Sequence, residues 1–155
     1  MRKLLFGILF VFVGTGLFAQ TVNDYVEVTR GVMKTEKKAA IAEVMNLSDM
    51  ESTAFWPLYN EYNEKMYVVN TKLVNVVNDY ANNYVSMTDE KAKELWTNSI
   101  NIDAELLKLE KSYFKKFLKI LPATKAVRYF QAESKIKAMV DAELALEIPL
   151  FEDMR

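Results

Sequence analysis

The side chains that could do chemistry in this sequence are carboxylates, lysines, serines and tyrosines, because it contains no histidine and no cysteine. This composition excludes a Ser-His-Asp triad, a zinc site with histidine or cysteine ligands, and a disulfide scaffold. A serine activated by lysine is the remaining enzymatic alternative, and no motif supports it. Acid pairs occur at helical spacing, Glu61 with Glu64 and Glu143 with Glu147. Two acids on one helix face do not form a catalytic cleft, so we predict no catalytic residue, no metal and no cofactor.

Residues 1–19 have the layout of a secretory signal peptide. Two basic residues, Arg2 and Lys3, precede an apolar run over residues 4–13, and Ala19 is a small residue at the expected cleavage point. We expect cleavage after Ala19, which makes the mature protein periplasmic or secreted. The alternative is a retained anchor, but the apolar stretch is shorter than the roughly 20 residues that span a bilayer. We therefore expect no stable membrane insertion after cleavage.

The rest of the chain, residues 20–155, is interpreted as one domain. Loss of the leader removes two of the 20 basic residues and leaves 18 against 21 acidic ones. An exported, net-acidic chain does not favour nucleic acid as a partner. Because cysteine is absent, packing alone must hold the fold in an oxidising compartment.

Three segments share a pattern that indicates the start of a helix. Each has a large aliphatic residue, then a residue suited to a helix start, and a bulky pair eight and nine positions after the aliphatic one. They open with Leu47-Ser48, Met87-Thr88 and Leu121-Pro122. Ser48 can cap the first turn, and Glu51 can complete a capping box. Thr88 can cap in the same way, while Pro122 has no N–H to lose at a helix start.

These starts predict an all-α, elongated bundle of four long helices. The expected ranges are about Val22 to Met45, Asp49 to Tyr84, Asp89 to Leu121 and Pro122 to Glu147. Pro57 is expected to kink the second helix or to reset its start. An apolar tail that includes Leu150 and Phe151 follows the fourth helix.

Apolar periodicity identifies the face that each helix buries. The second helix has a 3.5-residue repeat, typical of a coiled coil, at Phe55, Tyr59, Tyr62, Met66, Val69, Leu73, Val76 and Tyr80. The third helix is expected to bury Ile102, Leu106, Leu109, Tyr113, Phe117 and Ile120, and the fourth offers Tyr129, Ala132, Ile136, Met139 or Val140, and Leu146. At roughly 50 Å, the second helix is too long for a bundle of average helices to cover, which indicates an elongated molecule or a dimer. Because its long apolar face and the apolar tail need cover, we predict a homodimer.

Aromatic and basic side chains supply the candidate binding residues. The aromatic cluster is Phe55, Trp56, Tyr59 and Tyr62. Most of it is expected to be core, and the alternative is a partly exposed concavity that holds apolar segments of clients. Basic residues outnumber acidic ones between residues 104 and 137, and the candidates there are Lys115, Lys119 and Arg128. They could attract anionic or unfolded clients or the acidic tail of a second subunit, or they could form a solvated face.

Two of the start motifs resemble the paired L-T-x-x-Q sequences of the Spy/CpxP-like group of exported envelope-stress proteins. The similar segments are residues 47–51 (LSDME) and 121–125 (LPATK). The departures fall on the threonine, which is Ser48 and Pro122 here, and on the glutamine, which is Glu51 and Lys125. Residues 45–62 are also similar to exported helical proteins of Bacteroidetes-type bacteria.

The resemblance implies a curved helical dimer that binds unfolded clients without ATP or that signals to an envelope sensor. The zinc-binding branch of the group uses histidines, which this sequence lacks, so no metal is carried over. Our leading hypothesis is an extracytoplasmic, non-enzymatic binding protein that acts as a chaperone for unfolded envelope proteins. The alternative is a regulatory adaptor that binds one specific envelope protein, such as a stress sensor.

Overall fold

A computed structural model of the chain describes residues 33–150. The predicted signal peptide, its cleavage point, the expected helix start at Val22 and the residue Phe151 lie outside the described residues. Contacts along the chain divide it into two units, Met1–Ala39 and Ala40–Arg155. The core and surfaces described below all belong to the second unit. The assignment of residues 20–155 to one domain stays a prediction.

The described part of the chain consists of helices and short turns, and no strand occurs within residues 33–150. Residues 33–45 form α1. The other helices are α2 (Asp49–Asn83), α3 (Asp89–Phe117) and α4 (Ala123–Glu147), and a short 3-10 helix (Tyr84–Ser86) separates α2 from α3. This confirms the predicted all-α bundle.

The sequence at the start of α2 fixes where that helix begins. The Ser48 hydroxyl accepts from the Glu51 backbone N–H at 3.3 Å, and the Glu51 carboxylate accepts from the Ser48 N–H at 2.8 Å, which forms a capping box. Just before it, Asn46 separates α1 from α2 in the left-handed region with φ 44°, a conformation that asparagine tolerates at a helix end. The helix then continues through the exposed Pro57. A reset of the helix start at this proline is therefore wrong.

The turn between α3 and α4 differs from the prediction. Helix α3 ends at Phe117 rather than at Leu121. The next residues tighten into a 3-10 pattern, in which Ile120 N–H donates to the Phe117 carbonyl at 3.1 Å. The reason is Pro122, since a proline disfavours the α conformation of the residue before it. Pro122 itself lies just outside α4, and its carbonyl accepts from the N–H groups of Lys125 and Ala126.

Helices α2 and α3 pack antiparallel along most of their length. Three ion pairs join the two helices in opposite order along the chain: Asp79 with Lys91 at 2.7 Å, Lys72 with Glu105 at 2.7 Å, and Glu61 with Lys116 at 2.9 Å. All eight residues of the predicted α2 repeat are buried or half-buried. Helix α3 thus supplies cover that the sequence analysis had assigned to a second subunit. Dimerisation stays a prediction.

An aromatic core joins the first turns of α2 to the end of α3 and the start of α4. Its ring centroids lie 4.7–6.5 Å apart, the range in which aromatic pairs attract one another beyond simple burial. The buried rings are Phe55, Tyr59, Tyr62, Tyr113, Phe117, Tyr129 and Phe130, and Ile41 and Met45 of α1 complete the cluster. A smaller cluster of Val69, Ile102 and Leu106 continues the α2–α3 contact.

The second half of α4 packs less than its sequence predicts. Ile136 and Val140 are half-buried, whereas Met139 and Leu146 are mostly exposed. Of the two alternatives for a buried residue, Met139 and Val140, the structure buries Val140 in part. The predicted burial of Leu146 is wrong. The last described residues contact the far end of α2, where the hydroxyls of Tyr80 and Tyr84 donate to backbone carbonyls at residues 149 and 150.

Candidate protein-binding surface

The aromatic residues that we considered for client binding lie mostly inside the core. Phe55, Tyr59 and Tyr62 are at most 2% exposed, and their rings contact rings from α3 and α4. Trp56 is half-buried at the edge of the same cluster. The alternative of a client-binding concavity lined by Phe55, Tyr59 and Tyr62 is therefore wrong, because these rings are buried where three helices pack together.

The two motifs that resemble L-T-x-x-Q meet in space at their last positions. The Nζ atom of Lys125 donates to the Glu51 carboxylate at 2.6 Å and to the Asn46 carbonyl at 3.4 Å. The hydrogen bond from Lys125 is the main reason that the pKa of Glu51 lies below its usual range. Leu121 is buried and Leu47 is half-buried against the aromatic core. The two motifs therefore form a joint between the starts of α2 and α4.

Thr88 has the same role at the next helix start. Its side-chain oxygen accepts from the Lys91 N–H at 3.2 Å and caps α3. The Lys91 ammonium in turn pairs with Asp79 near the end of α2. This interaction raises the pKa of Lys91, and the contact fixes the α2–α3 turn.

The predicted basic residues remain at the surface. Lys115, Lys119 and Arg128 are all exposed, around the end of α3 and the start of α4. Lys116 differs, since it pairs with Glu61 and lies 4.2 Å from the centroid of the Tyr113 ring. This end of the bundle therefore offers several cations for electrostatic attraction of anionic segments.

Glu61 shows what one of the predicted acid pairs does. Its Oε1 atom accepts from the Tyr113 hydroxyl at 2.6 Å and from Lys116 at 2.9 Å. The hydrogen bond from Tyr113 is the main cause of the lowered pKa of Glu61, and the hydrogen bond from Lys116 adds to it. Glu64 and Glu143 are exposed, and the side chain of Glu147 lies outside the described atoms. Glu61 thus serves to join α2 to α3.

An exposed apolar stripe on α3 is the feature that the sequence analysis missed. Trp96, Ile100 and Leu107 are 70%, 53% and 49% exposed, and we refer to these three residues as the α3 stripe. Their spacing of four and seven residues places them on one helix face. Trp96 directly follows the buried Leu95, and Leu107 directly follows the buried Leu106. The stripe therefore lies about 100° round the helix from the core.

Charged side chains beside the α3 stripe favour its contact with protein segments. The exposed Lys93 and Lys111 lie three residues before Trp96 and four residues after Leu107, so each is a neighbour of one end of the stripe. The exposed Asp103 lies on the same helix face between Ile100 and Leu107. From Trp96 to Leu107 the stripe extends roughly 16 Å along the helix. The stripe can therefore pack against apolar side chains of another protein segment. Charged residues that flank those side chains can pair with the lysines and the aspartate beside the stripe.

A family model described as PRESAN, Plasmodium RESA N-terminal, matches residues 21–139, which is more than half of the chain. The chain belongs to the PRESAN family. No curated protein and no solved structure matches the chain. The resemblance to the Spy/CpxP-like group stays a prediction beside this result.

The PRESAN match covers all of α2 and α3 and the part of α4 up to Met139. It therefore includes all three start motifs, the aromatic core and the α3 stripe. Residues 140–150, where the packing of α4 is weaker, lie beyond the matched range.

Two further properties concern the described residues. No group of three or more acidic side chains within residues 33–150 is arranged to hold a metal ion. None of the helices in that range is both long enough and apolar enough to cross a membrane. What the described surface does offer is apolar area beside separate positive charges.

Proposed function

We propose that this protein is an exported, non-enzymatic helical binding protein that holds unfolded or partly folded envelope proteins without ATP. The observation that carries the proposal is the exposure of Trp96 in line with Ile100 and Leu107. Large apolar side chains in one line on a surface are typical of protein contact sites. Tryptophan is also the residue type most enriched at the energetic centres of such sites.

The size of the stripe favours weak, reversible holding. Shielding a tryptophan side chain of this exposure gains roughly 3 kcal/mol at 25 cal/mol per Å². The two aliphatic residues add less, and association and ordering of the client oppose the gain. A surface of this kind suits transient contact with exposed apolar segments of many clients.

The basic end of the bundle supports the same proposal in a second way. Lys115, Lys119 and Arg128 are exposed near the aromatic core, and they can draw in segments that carry acidic residues. Long-range attraction of this kind raises association rates and weakens with salt. We propose that it brings clients to the α3 stripe, while apolar contact holds them there.

The proposal is tested by light scattering of an aggregating client with increasing amounts of the mature chain. We expect the wild type to suppress aggregation. The double variant Trp96→Ser, Leu107→Ser should need at least about tenfold more protein for the same effect, because loss of a buried anchor weakens binding by 1.4 kcal/mol or more. The control is Val85→Ser, which alters a side chain that is 80% exposed outside the α3 stripe.

Two outcomes would count against the proposal. One is a Trp96, Leu107 variant that suppresses aggregation as well as the wild type while its helix content is unchanged. The other is a wild type that suppresses the aggregation of no client at all. High-affinity capture of one envelope protein, without general suppression, would instead favour the regulatory adaptor.

A further inference from the structure

A groove between α3 and α4 is the concave surface on which this inference rests. It encloses about 550 Å³ and is lined by Phe114 of α3 and by Val127 and Phe130 of α4. The rings of Phe114 and Phe130 meet edge to face at 5.3 Å. Lys111 and Lys135 also line it, one from each helix, and both are exposed. We refer to this site as the α3–α4 groove.

The chemistry of the groove predicts that of its occupant. Phenylalanine and valine side chains favour an apolar group, and two lysines on opposite helices favour negative charge beside it. Glu110 also lines the groove and opposes excess negative charge, so a segment with a few acids suits it better than a highly charged one. The fitting partner is a short segment with apolar side chains followed by acidic ones.

This chain itself contains such a segment at residues 150–153, which read Leu-Phe-Glu-Asp. Leu150 is 87% exposed, so its side chain is available for another contact. An apolar pair followed by two acids matches the apolar lining and the two lysines of the α3–α4 groove. Charge complementarity therefore selects this segment from the chain.

The segment cannot enter the groove of its own chain. The hydroxyls of Tyr80 and Tyr84 donate to the carbonyls of Pro149 at 2.9 Å and of Leu150 at 3.1 Å, which holds them at the far end of α2. From Lys135 to the end of α4, the helix extends about 18 Å away from the groove. Three residues beyond Leu150 can span at most about 10 Å, which is too short a distance to return to the groove.

We propose that residues 150–153 of a second copy of this chain occupy the α3–α4 groove. In this arrangement Leu150 and Phe151 of one copy pack against Phe114, Val127 and Phe130 of the other. Glu152 and Asp153 approach Lys111 and Lys135. A twofold axis lets each copy insert its segment into the other, which gives a closed, reciprocal dimer. This inference goes beyond the proposed function and does not depend on client binding.

Sedimentation velocity of the mature chain with charge-reversed variants tests this arrangement. The groove variant is Lys111→Glu, Lys135→Glu, and the tail variant is Glu152→Lys, Asp153→Lys. We expect the wild type to be dimeric and each variant alone to dimerise at least about tenfold more weakly, because like charges then meet at both contacts. An equimolar mixture of the two variants should form a heterodimer, since both of its contacts are again matched.

The matched control is Lys65→Glu, Lys108→Glu, which makes the same charge change at two exposed lysines of α2 and α3 that do not line the groove. It should dimerise as the wild type does. A monomeric wild type at about 100 μM, above the micromolar range of modest complexes, would overturn the proposal. So would groove and tail variants that remain dimeric, or a mixture that fails to recover. Since client suppression is measured separately, failure here leaves the proposed function standing.

Discussion

Replacement of Phe117 with alanine is expected to lower the free energy of unfolding by about 3–5 kcal/mol. Phe117 has no exposed surface. Its ring lies within 4.7–6.5 Å of the ring centroids of Phe55, Tyr62, Tyr129 and Phe130. Alanine would leave a cavity where α2, α3 and α4 meet, and rigid rings close such a space poorly. Urea unfolding followed by circular dichroism measures the change.

The matched control for this prediction is Leu146→Ala, which also truncates a large apolar residue. Leu146 is mostly exposed, so the expected change is within about 0.5 kcal/mol. Equal losses in the two variants would contradict the placement of Phe117 at the centre of the core.

Ionisation of three buried tyrosines is expected to lower the free energy of unfolding by about 4 kcal/mol between pH 9 and pH 11. Burial raises the pKa of Tyr59, Tyr62 and Tyr129 above the usual tyrosine value of about 10, and the charge of Glu133 raises each further. The folded state therefore keeps protons that the unfolded chain releases. These tyrosines leave stability unchanged well below pH 10 and lower it above, by about 1.4 kcal/mol for each of the three at pH 11.

The variant Tyr129→Phe isolates one contribution to this pH effect. It removes one ionisable hydroxyl but keeps the ring, so the loss between pH 9 and pH 11 should be about 1.4 kcal/mol smaller than in the wild type. Urea unfolding at both pH values measures this difference. The exposed lysine ion pairs also weaken towards pH 11, but they do so equally in both proteins and cancel in the comparison. An identical pH dependence in both proteins would contradict burial of the Tyr129 hydroxyl.

The fold was predictable where one local signal decided the outcome. The eight-residue repeat from Phe55 to Tyr80 identifies the buried face of α2, since a 3.5-residue spacing admits one apolar side of a helix. Ser48 and Glu51 identify its start because a capping box satisfies backbone N–H groups that otherwise lack partners. Both signals lie within a few turns of one helix and need no knowledge of tertiary packing.

The candidate site was not predictable in the same way, because it depends on which helices meet. Both Trp56 and Trp96 follow a large apolar residue near a helix start. Trp56 is half-buried because it packs against the aromatic core, which rings from three helices form, whereas Trp96 is exposed at the other end of the α2–α3 pair. The contact of Lys125 with Glu51 spans 74 positions in sequence, and no local pattern predicts it. The exposed half of α4 has the same origin, since its apolar residues find too little partner surface.

The most direct test of the central claim is the fluorescence of Trp96 during client binding. The sequence has two tryptophans, so the variant Trp56→Phe leaves Trp96 as the only reporter. With an unfolded client that lacks tryptophan, we predict a blue shift of the emission and protection from iodide quenching as Trp96 leaves water. The contradicting result is a labelled client whose fluorescence anisotropy shows binding, while the emission and the iodide quenching of Trp96 stay unchanged.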